Sequence, residues 1–278
     1  MTDPMISTAD LAARLGDPRL RVLDASWHLD GRDGRAAWRE AHLPGAGFFD
    51  IDGISDHAIA LPHMLPGPDA FAAALGELGV AADDAIVIYD QHGLFSAARA
   101  WWSLRVMGAS DVRVLDGGLP KWTAEGRPVE TGSTAAKPAQ FEARFNPTLI
   151  SDLKEMRAII ETGSQQIVDV RPGPRFRAEV PEPRAGLRGG HMPGAKNLPY
   201  AELIAADGTL KSAEELRAVL TRAGIDAERP TTVSCGSGVT APILALALAR
   251  LGREDVAVYD GSWTEWGGLA DTPVVTGA

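Results

Sequence analysis

The chain has 278 residues, 45% hydrophobic and 23% charged, with a formal net charge of -10, so it is long enough for two ordinary domains or one large one with a substantial core. The acidic excess excludes a nucleic-acid surface, which needs clustered Lys and Arg to neutralise phosphates. No stretch approaches the ~20 apolar residues of a bilayer span, and residues 1–17 lack the basic start and apolar core of a signal peptide, so a cytoplasmic protein is expected, with no membrane partner.

Taken in chain order, the strand-like run 21–24 ends in Asp24 and is followed by His42, Leu43, Pro44, Gly45 and Ala46. An amphipathic helical run covers 69–78, and a second strand-like run covers 85–89. The loop from Asp90 to Phe95 leads through a helix with Trp101 and Trp102 to a strand at 112–115, a turn at Asp116 and Gly117, and Trp122. Residues 126–146 are rich in Gly, Pro, Ser, Thr and Ala without a sustained period and read as a linker.

Beyond residue 146 the same order returns. The run 166–169 ends in Asp169, His191, Met192, Pro193, Gly194 and Ala195 repeat the first H-x-P-G-A string, and a helical run covers 213–223. Strand-like runs at 232–234 and 256–259 flank a helix at 241–251, and a turn at Asp260 and Gly261 precedes Trp266. Residues 86–122 thus correspond to 231–266, an internal duplication. Alternating strands and helices in each half imply parallel sheets covered by helices, with domains over 1–125 and 147–278. His42 and His191 recur in both halves and read as loop-shaping residues. Trp101, Trp102, Trp263 and Trp266 read as packing.

The only cysteine, Cys235, lies between the run ending in Ser234 and the helix that has Pro242 near its start. A single thiol forms no internal disulfide. At a helix N-terminus the unpaired amides and the helix dipole favour thiolate over thiol, whereas a free cysteine elsewhere serves as a small buried hydrophobe. Gly236 and Gly238 let the loop turn its N–H groups inward as an anion-holding nest, with Ser237 and Thr240 adding hydroxyls. An offset of 145 residues sets Asp90 opposite Cys235, so only the second copy holds a nucleophile. One Cys and six scattered His give no C-x-x-C or H-E-x-x-H spacing, so neither metal nor other cofactor is expected.

These strings, with residues 42–52, His63 to Pro66, the E-P-R segment ending at Arg184 and S-W-x-E-W from Ser262, resemble the tandem-rhodanese sulfurtransferases. The loop C-G-S-G-V-T is similar to that of the 3-mercaptopyruvate branch. The resemblance implies an α/β protein of two tandem rhodanese-like domains, each a parallel sheet flanked by helices, with an inactive first copy, an active second copy and substrate between them. It implies sulfur transfer from 3-mercaptopyruvate through a Cys235 persulfide, the loop residues Gly236, Gly238, Val239 and Thr240 holding the outer sulfur. Arg175 and Arg184 match the arginines for the donor carboxylate, ahead of Arg171 and Arg188. A proton relay maps onto Ser237, His63 and Asp52. With no second cysteine, an external acceptor is needed: reduced thioredoxin or a small thiol, with cyanide an adventitious one.

Thiosulfate-specific relatives carry basic side chains directly after the cysteine, whereas Gly236 and Ser237 stand here, which favours mercaptopyruvate. Alternatives are a thiosulfate sulfurtransferase and a persulfide carrier without turnover. A dual-specificity phosphatase of similar fold needs an arginine closing the loop, where Ala241 and Pro242 stand instead.

Overall fold

Apolar strand runs and amphipathic helices alternate along the chain, and the structure, a computed structural model describing residues 3–81 and 83–277, gathers them into two units. The first holds the residues up to Asp56 with Leu65–Asn146 and Ala205–Leu210, and the second holds His57–Met64, Pro147–Ile204 and the residues from Lys211. No helix among the described residues is long and apolar enough to cross a membrane.

The first unit runs β1 (Met5–Ile6), α1 (Thr8–Arg14), β2 (Leu20–Asp24), α2 (Gly34–Glu40), β3 (Gly47–Phe48), α3 (Pro68–Glu77), β4 (Ala85–Tyr89), α4 (Ala97–Val106), β5 (Val112–Leu115) and α5 (Gly118–Ala124). Its strands are all parallel, in the order β1-β5-β4-β2-β3. Ile86, Val87, Ile88 and Tyr89 are all buried, which is why β4 takes a central place with both faces covered. Trp101 and Trp102 are buried on α4, and Ile6, Leu11, Val22, Val87, Leu115 and Trp122 share one core cluster.

Residues 126–146, read as a linker, are fastened to this unit. The Ala139 N–H donates to the Gly76 carbonyl at 2.9 Å and the Arg144 N–H to that of Met107 at 2.8 Å, while Phe141 is buried with its ring centroid 6.0 Å from that of Phe71.

The second unit repeats the plan as β6 (Ile150–Ser151), α6 (Leu153–Thr162), β7 (Gln166–Asp169), α7 (Gly173–Phe176), β8 (Lys196–Asn197), α8 (Ala213–Arg222), β9 (Thr231–Ser234), α9 (Ala241–Arg250), β10 (Ala257–Tyr259) and α10 (Ser262–Trp266). The parallel order β6-β10-β9-β7-β8 matches the first sheet strand for strand. Capping boxes start α6, with Asp152 and Glu155, and α8, with Ser212 and Glu215. The two motif histidines are both buried packing groups: His42 Nδ1 lies 2.9 Å from the Trp38 carbonyl and His191 Nδ1 2.9 Å from that of Phe176.

Connections leave β9 toward β10 on one side and β7 toward β8 on the other. The adjacent carboxyl ends of β7 and β9 are therefore the switch point at which open α/β sheets take ligands.

Candidate active site

Cys235 follows the last residue of β9 and opens the loop into α9. Its carbonyl accepts the Trp263 N–H at 3.0 Å, and the Gly236 carbonyl accepts the Thr264 N–H at 2.8 Å and its hydroxyl at 2.7 Å. These bonds tie the loop to α10. The Cys235 N–H donates to Ser262 Oγ at 3.2 Å, and the Ser262 hydroxyl proton is shared between the Tyr259 carbonyl at 2.8 Å and Cys235 Sγ at 3.9 Å.

Cys235 is only 1% exposed. Ser237 and Val239 are buried as well, while Gly236 and Thr240 are half-buried. Gly238, at φ +79, takes the left-handed turn that folds the loop back. The half-buried neighbour of the sulfur is therefore Gly236, a residue with no side chain.

The first copy displays what this loop can hold. Asp90 follows β4 as Cys235 follows β9, and the Leu119 N–H donates to its carbonyl at 3.0 Å, as Trp263 does to Cys235. The Asp90 carboxylate accepts the amides of His92 at 2.8 Å, Phe95 at 2.7 Å, Ser96 at 2.9 Å and Ala97 at 2.8 Å. A negative group thus sits in converging backbone N–H donors at the strand end, the geometry of an anion nest.

On the β7 side, Arg171 is 1% exposed. It donates to both Asp169 carboxylate oxygens, to Glu182 Oε1 at 2.8 Å and to the Gly190 carbonyl at 2.7 Å, and its guanidinium lies 4.3 Å from the Trp263 ring centroid. Arg188 donates to the carbonyls of Trp266, Gly267, Leu269 and Thr272. Both arginines are bound into the fold, Arg171 by two carboxylates and a carbonyl and Arg188 by four carbonyls.

Arg175 differs. Its Nε and Nη2 bond Glu182 at 3.3 and 2.5 Å, and its Nη2 would lie 3.2 Å from a Cβ placed on Gly236. The guanidinium therefore abuts the cysteine loop. Arg184 Nη2 lies 3.5 Å from His63 Nε2, and Arg184 lines an open cavity of about 610 Å³ with Val180, Glu182 and Leu187. His63 is buried, with φ +62, and groups with the second unit although it stands in the first half of the chain. Asp52 belongs to the first unit, where it accepts the Trp27 Nε1–H at 3.1 Å.

The rhodanese-like domain model matches residues 7–125 and again 152–269. The chain belongs to the rhodanese-like family. It is 45% identical over 267 residues to the 3-mercaptopyruvate sulfurtransferase of Escherichia coli K12, covering 95% of each chain. It is 43% identical to the human 3-mercaptopyruvate sulfurtransferase, over 94% of this chain and 89% of that one. Bovine thiosulfate sulfurtransferase is 42% identical, over 92% of this chain and 87% of the relative. The crystal structure of SseA, a 3-mercaptopyruvate sulfotransferase from Escherichia coli, matches with a TM-score of 0.87 at 41% identity, covering 94% of this chain and 99% of that one.

Two residues of this rhodanese-like site escaped the sequence reading. Glu182 opens the E-P-R string, and Ser262 opens S-W-x-E-W. The duplication carried a signal for Ser262: its counterpart is Gly118, and the two share left-handed backbones at φ +48 and +53. A serine held where its copy has glycine costs about 1–2 kcal/mol and supplies a hydroxyl beside the thiol.

Proposed function

We propose that the chain is an enzyme that moves sulfur from 3-mercaptopyruvate to a thiol through a persulfide on Cys235. The ionised sulfur attacks the donor's sulfur, the donor C–S bond breaks, and the electron pair stays on carbon as the pyruvate enolate, which takes up a proton. The resulting persulfide then gives its outer sulfur to an acceptor thiol. What supports this reading above all is the position of Cys235 at the end of β9, in the loop whose counterpart encloses the Asp90 carboxylate with four amides. The amides of Gly236, Gly238, Val239 and Thr240 hold the outer sulfur in the same manner.

Arg175 and Arg184 take the donor carboxylate, for which the planar guanidinium fork is suited. Support comes from the approach of Arg175 to Gly236 and from the place of Arg184 beside His63. Ser237 hands a proton to the enolate carbon, with His63 behind it as the relay. The absence of a basic side chain at positions 236 and 237 favours a singly charged ketoacid over the thiosulfate dianion. With a single cysteine in the chain, the acceptor is external, reduced thioredoxin or a small thiol, and the setting is the cytoplasm.

Intact mass after incubation with 3-mercaptopyruvate tests the reading: the protein gains the mass of one sulfur, and Cys235→Ser gains none. Faster turnover of thiosulfate than of mercaptopyruvate at equal concentration would overturn the donor assignment, and a persulfide that forms without multiple turnover would reduce the chain to a carrier.

A further inference from the structure

The Glu182 side chain is 1% exposed and touches two arginines at once. Its Oε1 accepts from Arg171 Nη1 at 2.8 Å and from Arg175 Nε at 3.3 Å, and its Oε2 accepts from Arg175 Nη2 at 2.5 Å. A buried carboxylate is retained only when paired and hydrogen-bonded. Here the pairing has a direction. Arg171 is fixed independently by Asp169, by the Gly190 carbonyl and by the Trp263 ring, so Glu182 hangs from an immobile partner and transmits that fixed position to Arg175.

Arg175, whose side chain is 19% exposed, has Nε and one edge of Nη2 taken up by Glu182. Nη1 and the other Nη2 hydrogen remain at the end of the guanidinium that faces Gly236. That is the fork needed to grip a carboxylate beside Cys235. The charges of Asp169, Arg171, Glu182 and Arg175 cancel, so Arg175 contributes aimed donors rather than a surplus of positive charge. The network is confined to the copy with the cysteine: at the position equivalent to Arg171 the first copy has Ser26.

We propose that Glu182 is a positioning residue that aims Arg175 at the donor carboxylate, an inference that rests on the carboxylate role given to Arg175 above. Glu182→Gln keeps the size but has one oxygen where the native side chain uses two. Its amide N–H₂ must face a guanidinium, and Arg175 is released.

The test is the cycle of parent, E182Q, R175A and E182Q/R175A, with KM and kcat measured for 3-mercaptopyruvate. E182Q raises KM at least about 10-fold, the scale of one lost charge-assisted bond, while kcat falls by less than KM rises. In the R175A background E182Q adds less than about 2-fold to KM, where a general structural defect would add its full effect. Glu182→Asp, which keeps the charge one methylene short, gives an intermediate KM, and its own cycle with R175A replaces that of E182Q should the latter fail to fold. If R175A raises KM and E182Q does not, or if the two effects simply multiply, the positioning role is wrong and the carboxylate reading stands. If R175A leaves KM unaltered, the carboxylate reading itself falls and takes this one with it.

Discussion

Asp24 and Asp169 end equivalent strands, and only Asp169 meets an arginine. In each copy the amide two residues on donates to the carboxylate, from Ser26 at 2.8 Å and from Arg171 at 2.9 Å. The Arg171 guanidinium then returns to Asp169, while the serine at position 26 has none to return.

Burial therefore dominates at Asp24 and pushes its carboxyl up to about 6 from an ordinary 3.8, with smaller opposing effects from the bonds to Ser26. A folded value above the unfolded one means that the native state holds the proton more tightly. The stability this contributes is fully present below pH 3.8 and is lost as the pH rises through about 6. Asp24→Asn removes the penalty, so it gains about 1–3 kcal/mol over the parent at pH 8 and almost nothing at pH 4. Urea unfolding at the two pH values measures this, and an equal difference at both would refute it.

Ser262→Ala removes the acceptor of the buried Cys235 N–H and the hydroxyl 3.9 Å from Sγ. The rate of persulfide formation falls about 10-fold, the equivalent of one ordinary hydrogen bond. Ser262→Gly loses the same hydroxyl but relieves the left-handed backbone, so it is more stable than the alanine variant by about 1 kcal/mol. Single-turnover kinetics with thermal melts separate the two effects. A glycine variant no more stable than alanine would show that φ +48 carries no strain.

Asp90→Ala leaves the amides of His92, Phe95, Ser96 and Ala97 without their acceptor. The expected loss is at least about 2 kcal/mol, since buried donors left unpaired cost their full desolvation. Chemical denaturation reads it directly, and an unchanged midpoint would mean that water satisfies the loop.

Much of the architecture was legible in the sequence because it is local. The duplication, the parallel strands and the placing of Cys235 between strand and helix all follow from apolar runs, turns and repeated strings. Pairings between distant positions were not legible. Glu182 stands among Glu179, Pro181 and Pro183 and reads as part of a solvated loop, and nothing in its neighbours reveals two arginines folded onto it. Arg171 and Arg188 carry the same side chain as Arg175, and only their partners distinguish fold-holding guanidinium groups from the one beside Gly236. The burial of Cys235 was hidden for a similar reason, since the Ser262 hydroxyl and the Trp263 N–H that bond it come from α10, which starts 27 residues further along. His63 lies in the first half by chain position, whereas its contacts assign it to the second unit.

A lobe with neither thiol nor carboxylate at this strand end would hold a ring of inward N–H dipoles with no resident charge, a vacancy that inorganic sulfate or phosphate would be drawn to fill. In this molecule the guest is covalently attached: the strand supplies its own counter-charge at residue 90. The ring of the first lobe is thus filled from within by its own chain and offers no place to a dissolved anion.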